Sequence, residues 1–396
     1  MRKYIFSLLA TAFSLFASAQ NYDEFGVVPK TLTAGSTGTI ALTLNNPSMD
    51  NVRSMEFSIV YPEGWIFGTS NGTYGERAPK DELDVPTASI LGKKHEDKGI
   101  YKYVLYSTST TGFSGNSGDM VYINLKVPKG TPAGYYPITI KDIDIANSAT
   151  DVSSNIRIAE TTSYVRVGDP EEATLALSGV VPTFVNEALA QEPSTALQTL
   201  DLTAATAING TFHYVDARNV LAPEGTPLTL TTASFKRTVA DDKYITVNLP
   251  FDATFRHYIV TGNNENTVTF DERTSYSKGT PALVLGSVEA TANNVDLVGV
   301  EKQTITDGYY IKDNMLWKVN GNAKISALRG YFESGMFHFN DAQSTSLRIV
   351  VNNGTPTGIE NMATDKANTT YDLQGRRTEK AQNGVYIREG QKILIK

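Results

Sequence analysis

The chain has 396 residues, a formal net charge of −7 and no cysteine. An acidic chain without a basic patch is not a nucleic-acid binder, and a chain without thiols has neither disulfides nor thiol chemistry. Tyr (20) and Phe (16) far outnumber Trp (2) beside 31 glycines, which points to an all-β fold.

Arg2 and Lys3 precede a mostly apolar run over residues 4–16, and Ala17-Ser18-Ala19 forms a small-residue site before Gln20. This is the pattern of a secretory signal peptide over residues 1–19, cut between Ala19 and Gln20. The run is short for a span, which needs roughly 20 apolar residues. No later segment is apolar enough, so the mature chain is expected to be exported and to have no transmembrane segment. The missing cysteine also rules out lipid attachment at the cleavage site.

Residues 20–168 read as one β-sandwich. Period-2 alternation marks strands at 38–44, 54–61, 101–106, 121–127, 134–140 and 162–167, with Pro/Gly turns between them. Residues 68–98 are polar and read as a long surface loop. Asp169-Pro170-Glu171-Glu172 opens a linker over 169–195, with a short helix at 183–191 after Pro182 and a stop at Glu192-Pro193. A second β region covers 196–351, with strands that include 210–215, 227–231, 244–249, 281–285, 331–333, 336–339 and 347–351. Residues 352–370 are a polar linker. The tail 371–396 reads as a small β module, with a strand at 385–387, a turn at Glu389-Gly390 and a return strand at 392–396.

Three stretches carry resemblances. LTAGSTGTIALTLNNPSMDNVRSMEFSIVYPEGW and the later GDMVYINLKVPKGTPAGYYPITIKDIDIAN resemble a cohesin-like sandwich of jelly-roll or immunoglobulin-like type, apart from the 68–98 insertion. Cohesin-like domains bind dockerin modules, and their structural neighbours include carbohydrate-binding modules. ITVNLPFDAT, TSYSKGTPALVL and DGYYIKDNMLWKVNGNAKISALRGYF resemble the C-terminal β-domain of surface leucine-rich-repeat proteins. The tail YDLQGRR…NGVYIREGQKILIK resembles a type A C-terminal sorting domain of the type IX secretion system. Tyr371, Asp372, Gly375, Arg376, Gly384, Val385, Tyr386 and Lys396 match that pattern. The likeness implies recognition by the type IX secretion machinery and a place on the outer-membrane surface or outside the cell.

Chemistry-bearing clusters are sparse. His95, His213, His257 and His338 lie far apart, without metal-ligand spacing. There is no G-x-S-x-G, and the turn from Gly112 to Gly118 lacks a strand–turn–helix frame. The acidic pairs Asp81/Glu82, Glu96/Asp97, Glu171/Glu172 and Asp241/Asp242 are sequence neighbours, which face opposite sides of a strand or stand solvated in a loop. No catalytic residue is assigned and the chain is read as a non-enzyme. Asp142 and Asp144 share a strand face, and Asn147 or Asp151 could add oxygens, so calcium is a candidate cofactor there. Tyr101 and Tyr103 share another face, and Trp65 follows a turn. These three are candidate ligand-binding residues for a sugar platform.

The sequence therefore describes an exported, non-catalytic surface or secreted binding or adhesion protein. Its sandwich meets a protein or glycan. The alternatives are a carbohydrate-binding accessory protein in polysaccharide degradation and, behind it, a glycoside hydrolase.

Overall fold

A computed structural model describes residues 22–49, 51–67, 72–94, 99–147, 155–171, 173–264, 266–337 and 346–352, and the backbone of four short strands between 370 and 395. The signal-peptide residues with Ala19 and Gln20, and also His95, Asp151, His338, Asp372, Gly375, Arg376, the Glu389-Gly390 turn and Lys396, lie outside the described residues.

Twelve strands build the sandwich: β1 Glu24–Val27, β2 Lys30–Leu32, β3 Thr37–Asn45, β4 Ser54–Val60, β5 Ile66–Phe67, β6 Thr73–Tyr74, β7 Ala88–Lys94, β8 Ile100–Ser107, β9 Ser117–Lys126, β10 Gly134–Ala146, β11 Ile156–Ile158 and β12 Thr161–Val167. One sheet runs β1-β3-β9-β5, with β6 also on β9; the other runs β12-β10-β4-β8-β7. In β3, Ile40, Leu42 and Leu44 point inward and the residues between them do not, as period-2 alternation requires. They meet Phe57, Ile59, Ile138 and Ile140 from the opposite sheet in one apolar core. Phe25 packs edge-on against Phe57, and Phe57 stacks on Tyr103.

The segment expected as a loop over 68–98 instead carries β6 and β7. Its turn is fixed by Arg77, which is buried. The guanidinium donates to Ser114 O (2.7 Å), Gly115 O (2.6 Å), Leu44 O (3.1 Å) and Asn46 Oδ1 (2.9 Å). Those bonds also tie down the 112–118 turn.

The expected linker 169–195 is likewise structured. It holds β13 Thr174–Val181 and α1 Thr183–Gln191, and the helix falls where Pro182 and Glu192-Pro193 place it. β14 Thr199–Ile208, β15 Thr211–Val215 and β16 Asn219–Leu221 follow. β13, β14 and β16 are mutually parallel and extend the second sandwich sheet into one ten-stranded sheet ordered β16-β14-β13-β12-β10-β4-β8-β7, with β11 and β2 beside it. Strand β12 is buried on both faces: Val165 and Val167 enter the sandwich core, and Tyr164 enters a second core with Leu175, Leu177 and Leu200.

Helix α1 lies at this junction and packs Val185 and Leu189 into the second core. Nine residues are too few for a self-sustaining helix. Both of its ends are satisfied from outside. At the N-terminus the carboxylate of Glu24, on β1, accepts the Thr183 N–H at 2.9 Å. At the C-terminus Arg218, 1% exposed, donates to Leu189 O (2.8 Å), Leu197 O (3.1 Å) and Glu192 O. Each charge complements the helix dipole at its end.

The rest of the second region comprises β17 Thr229–Arg237, β18 Tyr244–Val247, β19 Ala253–Asn263, β20 Thr267–Tyr276, β21 Ala282–Leu285, β22 Val288–Asp296, β23 Gln303–Ile305, β24 Tyr309–Lys312, β25 Met315–Lys318, β26 Ala323–Ile325 and β27 Ser346–Asn352. They form a three-stranded sheet β15-β17-β22, a seven-stranded sheet β18-β21-β19-β20-β27-β25-β24 and the pair β23-β26. Of the strands expected at 331–333 and 336–339, Phe332 holds a single bridge to Tyr309, a 3₁₀ turn occupies Ser334–Met336, where Ser334 bonds Asp307, and 338–339 lie outside the described residues. The tail forms its own sheet, β29-β28-β30-β31, from β28 Thr370–Tyr371, β29 Arg377–Thr378, β30 Gly384–Arg388 and β31 Gln391–Ile395.

Replacing Arg218 by Met or Lys leaves buried carbonyls unpaired. Either change lowers the stability of the full chain by about 2–4 kcal/mol in urea unfolding, whereas the exposed Lys324→Met stays within about 0.5 kcal/mol of the parent.

Candidate protein-docking face

The ten-stranded sheet has one stretch of outer face that the second region does not cover. Tyr135 and Tyr164 belong to the second core, but most outward residues of β7, β8, β4 and the far half of β10 stay at least partly accessible, the buried Ser58 excepted. Strand register sets them in rows. Leu91 stands beside Val104, Val104 beside Glu56, and Glu56 beside Asp144. One row away, Ser89, Tyr106, Ser54 and Ala146 align; on the other side come Lys93, Lys102, Ser58 and Lys141. Leu91 is 54% exposed at the edge strand. Val104 and Tyr106 are half-buried.

Charges frame this apolar strip. Lys102 pairs with Glu56, and that hydrogen bond raises the ammonium pKa, so Lys102 stays charged. Asp144 lies 3.5 Å from Arg157 on β11. A groove of about 580 Å³ runs between them, lined by Ser54, Glu56, Val104, Asp142, Asp144 and Arg157. Leu91, Val104 and Tyr106 thus form a short, partly accessible apolar strip bordered by charge, a candidate docking surface.

The expected sugar platform is not on this face. Trp65 is 5% exposed and Tyr103 is 1% exposed; both belong to the sandwich core. Trp65 packs on Tyr136 with ring centres 5.1 Å apart. Tyr103 lies between Phe57 and Tyr101, whose ring centre is 4.9 Å away. Tyr101 is partly buried against the same core. The rings close over Gly92, where a Cβ would stand 2.6 Å from Tyr101 and 2.8 Å from Tyr103. The buried Trp65 and Tyr103 rings offer no face to a sugar.

The calcium expectation meets a different obstacle. Asp142 and Asp144 do share the outer face, at a bulge where Asp142 adopts φ 54°. Arg157 takes Asp144, and Asn147 follows the strand end. Calcium needs six to eight oxygens. Among the described residues no group of three or more His, Asp and Glu side chains is placed to hold a metal ion, and Asp151 lies outside those residues.

One pairing escaped sequence reasoning: Ser234 Oγ and His213 Nδ1 are 2.7 Å apart on neighbouring strands β17 and β15. Burial lowers the imidazole pKa, and no described carboxylate is bonded to the ring. A serine nucleophile needs an oriented base, so this pair is a cross-strand hydrogen bond. His257 is buried, with Nδ1 3.0 Å from Phe255 O.

The family profile of the Cohesin domain matches residues 27–162. Among solved structures the chain is similar to a non-cellulosomal cohesin from the hyperthermophilic archaeon Archaeoglobus fulgidus (16% identity, 37% of this chain and 91% of that one, TM-score 0.29). It is also similar to the seventh ScaB type I cohesin from Pseudobacteroides cellulosolvens (16% identity, 37% and 92%, TM-score 0.30). A third is the sixth cohesin of scaffoldin B from Acetivibrio cellulolyticus, solved in complex with a mutant Cel5 dockerin (16% identity, 37% and 99%, TM-score 0.30). No curated protein matches the chain. The N-terminal third thus carries a cohesin-like β-sandwich in a nearly all-β chain, and among the described residues no helix is long and apolar enough to cross a membrane.

Because Trp65 and Tyr103 are core residues, Trp65→Ala costs about 3–5 kcal/mol of stability. The Tyr103 hydroxyl is buried without a partner, so Tyr103→Phe leaves stability unchanged or raises it by about 1 kcal/mol. Thermal melts of the full chain read both.

Proposed function

We propose that the sandwich is a protein-docking module of cohesin type and that its partner is a dockerin-like module carried by another exported protein. The observation that carries this reading is the Cohesin match on residues 27–162. The accessible strip of Leu91, Val104 and Tyr106 on that same sandwich supports it. Leu91 and Val104 supply desolvated contact area. Lys102, Glu56, Asp144 and Arg157 at the border fix the partner's orientation and speed its encounter. The module is non-catalytic in this reading.

The signal peptide exports the chain, and the tail is read by the type IX machinery, which leaves the protein at the outer-membrane surface or outside the cell. There it acts as an adhesion or assembly point. The second region, with the likeness its sequence has to β-domains of surface leucine-rich-repeat proteins, holds the sandwich away from the envelope. Its parallel strands β13, β14 and β16, each about 20–25 residues after the last, have the spacing of leucine-rich repeats.

Titration calorimetry of the full chain against a panel of purified dockerin modules tests the proposal. At least one is expected to bind, and Leu91→Glu or Val104→Glu is expected to weaken that binding about 30-fold or more without moving the melting temperature. Binding that survives both changes, or no binding across the panel, contradicts it.

A further inference from the structure

Glu24 is the one carboxylate in the fully buried set among the described residues, 2% exposed. Its Oε1 accepts three bonds, each 2.9 Å: from the Thr183 N–H, from Thr183 Oγ1 and from Asn209 Nδ2. Burial is the largest influence on its pKa and raises it, and hydrogen bonds alone oppose that rise. Capping α1 needs only an acceptor for an amide, and a neutral side chain would serve without burying an ionisable group. A carboxylate shared by a hydroxyl and a carboxamide has the parts of an acyl-transfer site: base, nucleophile and electrophile.

The surroundings hold these parts in place. Thr183 is 3% exposed and opens α1. The Asn186 side chain donates to Asn209 O (3.2 Å) and Thr211 O (2.6 Å), which pins the turn after β14. At Gly210, with φ +75°, a Cβ would lie 2.7 Å from Thr183 Cγ2 and 3.3 Å from Thr183 Oγ1. Only glycine lets the Asn209 turn rest directly on the threonine side chain.

We propose that Thr183 and Asn209 form an intramolecular ester, with Glu24 as the proton carrier. Glu24 takes the hydroxyl proton as Oγ1 bonds to Cγ of Asn209. The tetrahedral centre then collapses, the Cγ–Nδ2 bond breaks, and Glu24 hands the proton to the departing nitrogen. Ammonia leaves and the ester remains; the step needs no oxidant, metal or second substrate. The water-poor junction that favours the reaction also shields the product from hydrolysis. The link ties the start of α1 to the end of β14, the crossover on which the two halves of the molecule meet.

Glu187 and Glu192 lie between the two residues in sequence, so a glutamate-specific protease separates them unless a covalent bond holds them together. The purified full chain is digested under denaturing conditions and its fragments are weighed. The fragments bearing Thr183 and Asn209 are expected to stay joined, lighter than their sum by one ammonia, and to part with hydroxylamine. Glu24→Gln, which keeps the shape, and Thr183→Val yield separate fragments, while Thr183→Ser, which keeps the hydroxyl, preserves the link. Separate fragments from the parent chain overturn the proposal. Ammonia loss confined to the Asn209-Gly210 fragment, as a cyclic imide gives, overturns it equally.

Discussion

A nine-residue helix cannot hold itself, and the two halves of this molecule meet on one. Helix α1 exists because Glu24 reaches its N-terminus from the first strand of the sandwich and Arg218 reaches its last carbonyls from the other side. Burying two opposite charges at opposite ends of a helix is costly unless every polar atom is matched. Here the match runs through amide, hydroxyl, carboxamide and three carbonyls. Arg166 adds a further tie, meeting the Glu192 carboxylate at 3.1 Å just past the helix end. Burial lowers the Arg218 guanidinium pKa to about 10, still high enough to keep it charged at neutral pH.

That junction decides which surfaces remain available. β12 serves two cores at once, so the sandwich face near Tyr135 and Tyr164 is spent on the second region. The open part of the same sheet lies at its other end, from β10 to the edge strand β7. Behind it the core is closed by aromatic stacking of Phe57, Tyr101 and Tyr103. The strip formed by Leu91, Val104 and Tyr106 thus stands on strands whose inner face is packed into that core.

Much of the fold was legible in the sequence. Alternation located the sandwich strands, and Pro182 with Glu192-Pro193 bounded the helix. β13 was hidden because its own alternating TLAL follows the acidic Asp169-Pro170-Glu171-Glu172, which resembles a linker. The phase of β8 was hidden for a plainer reason. In IYKYVLYS both faces are largely apolar, so period-2 reading cannot tell that Tyr101, Tyr103 and Leu105 turn inward while Val104 and Tyr106 turn outward. That ambiguity put Tyr103, a core residue, among the candidate binding residues. Leu91 lay in a stretch read as loop. The Glu24–Thr183–Asn209 and Arg218 contacts join residues far apart in the chain, and no local pattern announces them.

If the junction is what makes one body of the two halves, they unfold together. Scanning calorimetry of the full chain measures this directly. A single transition is predicted over the sandwich and second region, with calorimetric and van't Hoff enthalpies equal, moving as one when Arg218 is replaced. Two separated transitions, with the sandwich midpoint unmoved by the Arg218 change, would contradict the account.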